Sequence, residues 1–200
     1  MIIDTDLLRF CALKVREVEE WYRKSYEWAM EFPRSADELF LLVHERYEKP
    51  VYRKRLNRNQ KGRRIKAIYR HRVDGFYVYL LDGHDVPHQR YYLAKEVFQI
   101  ILDQEAMRTR DIEDLITNMM RRARPDSIDA NLGSATVSER LAEIAAQEFL
   151  FPYSERARHK AQADLKDGYS QLAKDYGIPQ YLIEGCLTDG WMTTMGKFFS

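Results

Sequence analysis

Residues 90–102 read RYYLAKEVFQIIL, and the fold turns on how this stretch is placed. Leu93, Val97, Ile100 and Ile101 recur at spacings of three and four, the period of a helix with one apolar face. On that reading Lys95, Glu96 and Gln99 are solvated. Two residues four apart on a helix share a face, with Cβ atoms about 5–6 Å apart. Lys95 and Gln99 therefore stand together, with Glu96 beside them.

That placement is the one a zinc peptidase uses. In a His-Glu-x-x-His helix the two histidines hold the metal and the glutamate activates its water. Here Lys95 and Gln99 fill the histidine places. A lysine ligates only as the neutral amine, and removing its proton at pH 7 from a reference pKa near 10.4 costs about 4–5 kcal/mol. Glutamine offers a weak neutral oxygen that zinc seldom takes. The pair is chemically unsuited to the metal.

Upstream, DTDLLRFCALKVREVEEWYRKSYEWAM has helical spacing with no proline or glycine, and Pro33 marks a break. SADELFLLVHERY restarts with a serine cap and an acidic first turn, and Pro50 ends it. RRIKAIYRHRV and FYVYLLDG alternate as strands do, and Asp74-Gly75 between them predicts an antiparallel hairpin over residues 63–81. After the loop DGHDVPHQ the opening helix is expected from Gln89 to Met107, followed by a second helix around RDIEDLITNMMRRA. RPDSIDANLGSAT reads as a loop, and VSERLAEIAAQEFLF as a helix stopped by Pro152. The tail is helical in pieces, punctuated by Gly168, Gly177 and Gly185.

The order of hairpin, loop, RYYLAKE helix, further helix and SERLAEIAAQEFLFP resembles the ImmA/IrrE family of metallopeptidase-like regulators. In that family the active helix opens with a phrase like R-F-T-x-A-H-E-x-G-H, and a later helix reads roughly E-x-x-A-N-x-F-A-x-x-L-L-M-P. Arg90, Tyr91, Ala94 and Glu96 match the first phrase. Glu139, Ala142, Ala146 and the ending Phe149-Leu150-Phe151-Pro152 match the second. The likeness spans residues 35–187.

The resemblance implies an α+β fold: N-terminal helices, a small antiparallel sheet, a zincin-like helix pair and a C-terminal helical extension. It divides the chain into a degenerate zincin-like domain at 1–160 and a helical, helix-turn-helix-like segment at 161–200. It puts Glu96 on the family's general base, Glu139 on its third zinc ligand, and Lys95 and Gln99 on its two histidine ligands. With those histidines gone it implies a pseudoenzyme with no active catalytic residue, no metal and no cofactor. Such a protein acts by binding a regulatory partner, a helix-turn-helix repressor of a phage or mobile element, or a stress regulator. If Glu96 and Glu139 face each other without a cation they repel, so the Lys95 ammonium is expected to reach Glu139. The rival enzyme reading is a zinc metallo-endopeptidase with unorthodox ligands.

A second rival is nucleic-acid binding. Residues 51–73 hold no acidic side chain but carry Arg53, Arg55, Arg58, Arg63, Arg64, Lys66 and Arg70 among their basic ones. With Tyr52, Tyr69 and His71 interleaved, the stretch has charges for phosphates and rings for bases. The rest of the chain is balanced, with 32 basic and 31 acidic side chains, so this concentration is local. In the tail, Ala173, Gly177 and Ile183 have helix-turn-helix spacing, with Leu172, Tyr176, Ile178 and Leu187 at its apolar positions. The would-be recognition helix is poor in basic and amide side chains, which favours a packing role.

Hydrophobic residues make up 45% and charged residues 32%, which suits a folded globular chain rather than a disordered one. Cys11 and Cys186 form no CxxC pair, and no stretch approaches a membrane span or a signal peptide. A cytoplasmic setting is expected. Pro87 places His84 and His88 in a loop, and His44, His71 and His159 are isolated, so no histidine cluster replaces the missing ligands.

Overall fold

The computed structural model describes residues 5–26, 32–47, 49–56, 66–108, 134–163 and 167–200. Helix α1 spans Thr5–Ser25 and buries Leu7, Leu8, Cys11, Val15, Val18 and Tyr22 along one stripe. Helix α2, Ala36–Arg46, begins where the sequence places its cap: Ser35 Oγ accepts the Glu38 N–H at 3.2 Å, with Asp37 and Glu38 in the first turn. The expected hairpin is present. Strands β2, Ala67–Arg72, and β3, Gly75–Leu81, pair antiparallel around a two-residue loop of Val73 and Asp74.

Gly75 opens β3 rather than sitting in the turn. Its φ of +154°, and a would-be Cβ 2.4 Å from the Pro50 carbonyl oxygen, leave no room for a side chain. That close approach brings in a strand with no clear sequence signal. Strand β1, Val51–Leu56, pairs parallel with β3, giving the order β1-β3-β2 and a mixed sheet. Only Val51 of β1 is buried, so an edge position hides the apolar alternation by which strands are read. The α+β class holds, with the hairpin antiparallel and β1 added in parallel.

Helix α3 runs Val86–Arg108, starting before Gln89. Asp85 Oδ1 accepts the His88 N–H at 3.0 Å, and Pro87 falls in the first turn, where its missing N–H goes unneeded. His88 therefore stands on the helix and not in a loop. Residues 91–98 are buried without a break, so Lys95 and Glu96 are not solvated. The helix packs against the sheet, α2 and the later helix Ser134–Leu150 together, and a helix enclosed on several sides has no polar face to show.

Helix α4, Ser134–Leu150, stops just before Pro152, and Ser134 to Thr136 of the expected loop belong to it. The helix expected around RDIEDLITNMMRRA and the rest of that loop lie outside the described residues. Helix α5, Tyr153–Ala163, runs through the 160/161 boundary drawn from the sequence. It is followed by α6, Gly168–Tyr176, α7, Gln180–Cys186, and α8, Asp189–Phe199. Leu172, Tyr176, Ile178, Ile183 and Leu187 are buried in the same core as α1 to α4.

Gly177 ends α6 at φ +57°, the left-handed conformation that favours glycine at a helix end. Arg90 of α3 donates to the carbonyls of Tyr176, Gly177 (3.1 Å) and Arg34. A cation at the negative end of α6 thus ties the tail to the central helix. Arg156 of α5, fully buried, pairs with the buried Glu148 of α4. Among the described residues no helix is long and apolar enough to cross a membrane.

Candidate functional site

A cleft of about 670 Å³ opens between β2, α3, α4 and the start of α7. Lys95, Glu96 and Gln99 line its floor, Glu139 and Glu143 one wall, and Tyr181 one end. The sequence-derived positions Lys95, Glu96, Gln99 and Glu139 thus share one cavity although 44 residues separate the first from the last. The packing of α3 on α4 brings them together.

The Lys95 ammonium lies 2.8 Å from Glu139 Oε1 and 3.0 Å from Glu96 Oε1. The contact anticipated from charge repulsion is present. Its members differ in environment: the side chain of Glu96 is 1% exposed, that of Lys95 10%, and that of Glu139 53%. Burial alone would lower the lysine pKa, but the fields of Glu96 and Glu139 outweigh it and hold it above the ordinary value. For Glu96 burial wins, and its carboxyl stays above the usual range although Lys95 and the Tyr69 backbone pull it down.

This balance bears on metal binding. Lys95 is a charged ammonium whose proton two carboxylates retain, and Gln99 is a neutral amide. The residues present do not fit zinc. The His84 and His88 rings lie 6.0 Å apart, with His88 Nδ1 held at 2.6 Å by Asp85 Oδ1. Among the described residues no group of three or more His, Cys, Asp or Glu side chains is placed to hold a metal ion.

The upper wall is β2, an edge strand in the order β1-β3-β2. Half of its backbone groups point away from β3, a template for another extended chain. Its inward ring, Tyr69, bonds Asp103, which accepts from Ser138 Oγ at 2.7 Å. This links β2, α3 and α4. The residues that sequence reasoning missed are aromatic: Tyr91, Tyr92 and Tyr181 also line the cleft, and Lys66 sits 5.7 Å from the Tyr92 ring centroid. Burial and mutual contact push the Tyr181 hydroxyl up to about 12. Tyr181 comes from α7, so the would-be recognition helix contributes to this cleft.

The register sorts the basic candidates onto different surfaces. Arg53 and Arg55 pair in register with Val78 and Leu80 on the helix-facing side, and Arg53 meets Asp37 at 2.5 Å. Lys66 turns to the cleft, while Arg70 pairs in register with Tyr77 on the opposite side of the sheet. Arg58, Arg63 and Arg64 lie outside the described residues. Tyr69 and His71 share the inner face, His71 stacking on Phe76 at 4.7 Å. These two rings are therefore not on the same face as Arg70.

No family model matches the chain. No curated protein matches it. Among solved structures it is similar to a Mycobacterium tuberculosis transcriptional regulator, at 16% identity and a TM-score of 0.47. That match covers 89% of this chain and 48% of the other, so the chain spans about half the length of that protein.

Proposed function

We propose that this chain is a catalytically inactive, metallopeptidase-like regulatory protein whose cleft binds a segment of a partner protein. The observation that carries this reading is the Lys95 ammonium between Glu96 and Glu139, which supplies a cation from the chain itself. A lysine held in this way neither polarises a carbonyl as a metal does nor generates a hydroxide nucleophile. What the cleft retains is recognition: an open strand edge for main-chain pairing, aromatic side chains for apolar contact and charges at the rim. The partner, in keeping with the sequence resemblance, is a repressor or stress regulator presenting an extended segment along β2.

The test has two arms. Changing Lys95→His and Gln99→His together, with Glu139 kept, should yield one zinc per chain by elemental mass spectrometry, whereas the unaltered protein takes up none. A photo-crosslinker at Gln99 should capture the partner segment, while one at the exposed Leu13 should not. Stoichiometric zinc in the unaltered protein, lost together with peptide hydrolysis on Glu139→Ala, would overturn the reading in favour of an enzyme.

A further inference from the structure

The sheet has a second face, turned away from α2 and α3. In register, Tyr77 of the central β3 pairs with Tyr52 of β1 and with Arg70 of β2, and Tyr79 pairs with Lys54 of β1 and with Ile68 of β2. These residues alternate with the buried Val51, Phe76 and Val78, so they point to the outer side. Three tyrosines stand there in a row: Tyr52 on Tyr77 at 4.8 Å between centroids and 29°, Tyr77 to Tyr79 at 6.2 Å and 22°. The Arg72 guanidinium lies 4.9 Å from the Tyr77 ring centroid. Lys54, Arg70 and Arg72 are all exposed. Asp74, beside them, accepts the Tyr77 hydroxyl at 2.5 Å.

We infer that this outer sheet face binds single-stranded nucleic acid, with bases adding to the Tyr52, Tyr77 and Tyr79 row and phosphates meeting Lys54, Arg70 and Arg72. Aromatic rings on an open sheet, rimmed by cations, are how sheet modules hold unpaired bases, since every base has a π face. An acidic peptide would use the charges and leave the rings idle. A duplex keeps its bases stacked inside and would use only the charges. The site is separate from the cleft, so it stands or falls independently of partner-protein binding there.

The experiment is fluorescence anisotropy with labelled oligo-uridine and oligo-thymidine, each roughly 12 nucleotides long, titrated with the full chain at increasing salt. Three phosphate contacts predict a slope of log K against log salt of about −2. Tyr52→Ala should weaken binding about tenfold or more, and Tyr52→Phe should restore it. Tyr52 is 38% exposed on an edge strand, so its loss opens no core; Arg70→Ala with Arg72→Ala, both exposed, should flatten the salt slope to less than half. Gln99→Ala, on the cleft floor and away from the sheet face, should leave oligonucleotide affinity unchanged. No binding at low salt, affinity indifferent to the Tyr52 and arginine changes, or preference for duplex or polyglutamate would each overturn the proposal.

Discussion

Replacing Lys95 by methionine keeps the length of the side chain and removes its charge. At 3.0 Å and an effective dielectric constant near 20, the attraction to Glu96 is about 5 kcal/mol before desolvation is counted. Removing one partner of a buried pair costs about 3–5 kcal/mol in practice, because the remaining charge is left without compensation. The second contact adds little, since the Glu139 side chain is 53% exposed and water screens it. The expected loss near pH 8 is therefore about 3 kcal/mol.

The pH dependence identifies the cause. Glu96 already binds its proton more tightly in the folded state than its ordinary value of 4.5, so its contribution to stability falls as pH rises above that value. Without Lys95 the folded pKa climbs further and the fall becomes steeper. Lys95 is held above its ordinary 10.5, so in the unaltered protein its contribution is intact below that pH and is lost only as pH rises through the folded value. Urea unfolding near pH 8 and near pH 5 should show the Lys95→Met deficit shrink at the lower pH, because the raised Glu96 pKa favours taking up a proton in place of the lost counter-ion. An equal deficit at both pH values, or one under about 1 kcal/mol near pH 8, would show that Lys95 does not offset a buried Glu96 charge.

The buried Arg156 and Glu148 pair gives a second expectation: Arg156→Leu should cost about 3–5 kcal/mol in thermal unfolding, while Arg156→Leu with Glu148→Leu recovers most of the loss, since no buried charge then lacks a partner. At the α6 terminus, Gly177→Ala places a side chain at φ +57° and 2.4 Å from Arg90 Nη1. It should destabilise by about 1–2 kcal/mol, and a change of no effect in denaturant midpoint would remove the claimed role of that turn.

Much of the framework was legible because it rests on local rules. The Ser35 cap, the 67–81 hairpin, the stop before Pro152 and the Gly177 punctuation each depend on residues within a few positions of one another. Strand β1 was not legible, since an edge strand with five of its six residues outside the core shows no apolar alternation. Tyr181 was missed as a cleft residue for a related reason: it comes to α3 from a helix some 90 positions away, and only packing sets that distance.

Residue order alone set the α+β class and left no histidine pair at Lys95 and Gln99, because period and ligand chemistry belong to the residues themselves. It also raised the question of what offsets Glu96 and Glu139. Long-range packing set how Lys95, Glu96 and Glu139 meet and how deeply each is buried. It likewise divided the described basic residues among cleft, helix-facing side and outer sheet face. A charge acts through distance and dielectric environment, and neither is set until helices and strands from distant parts of the chain have packed.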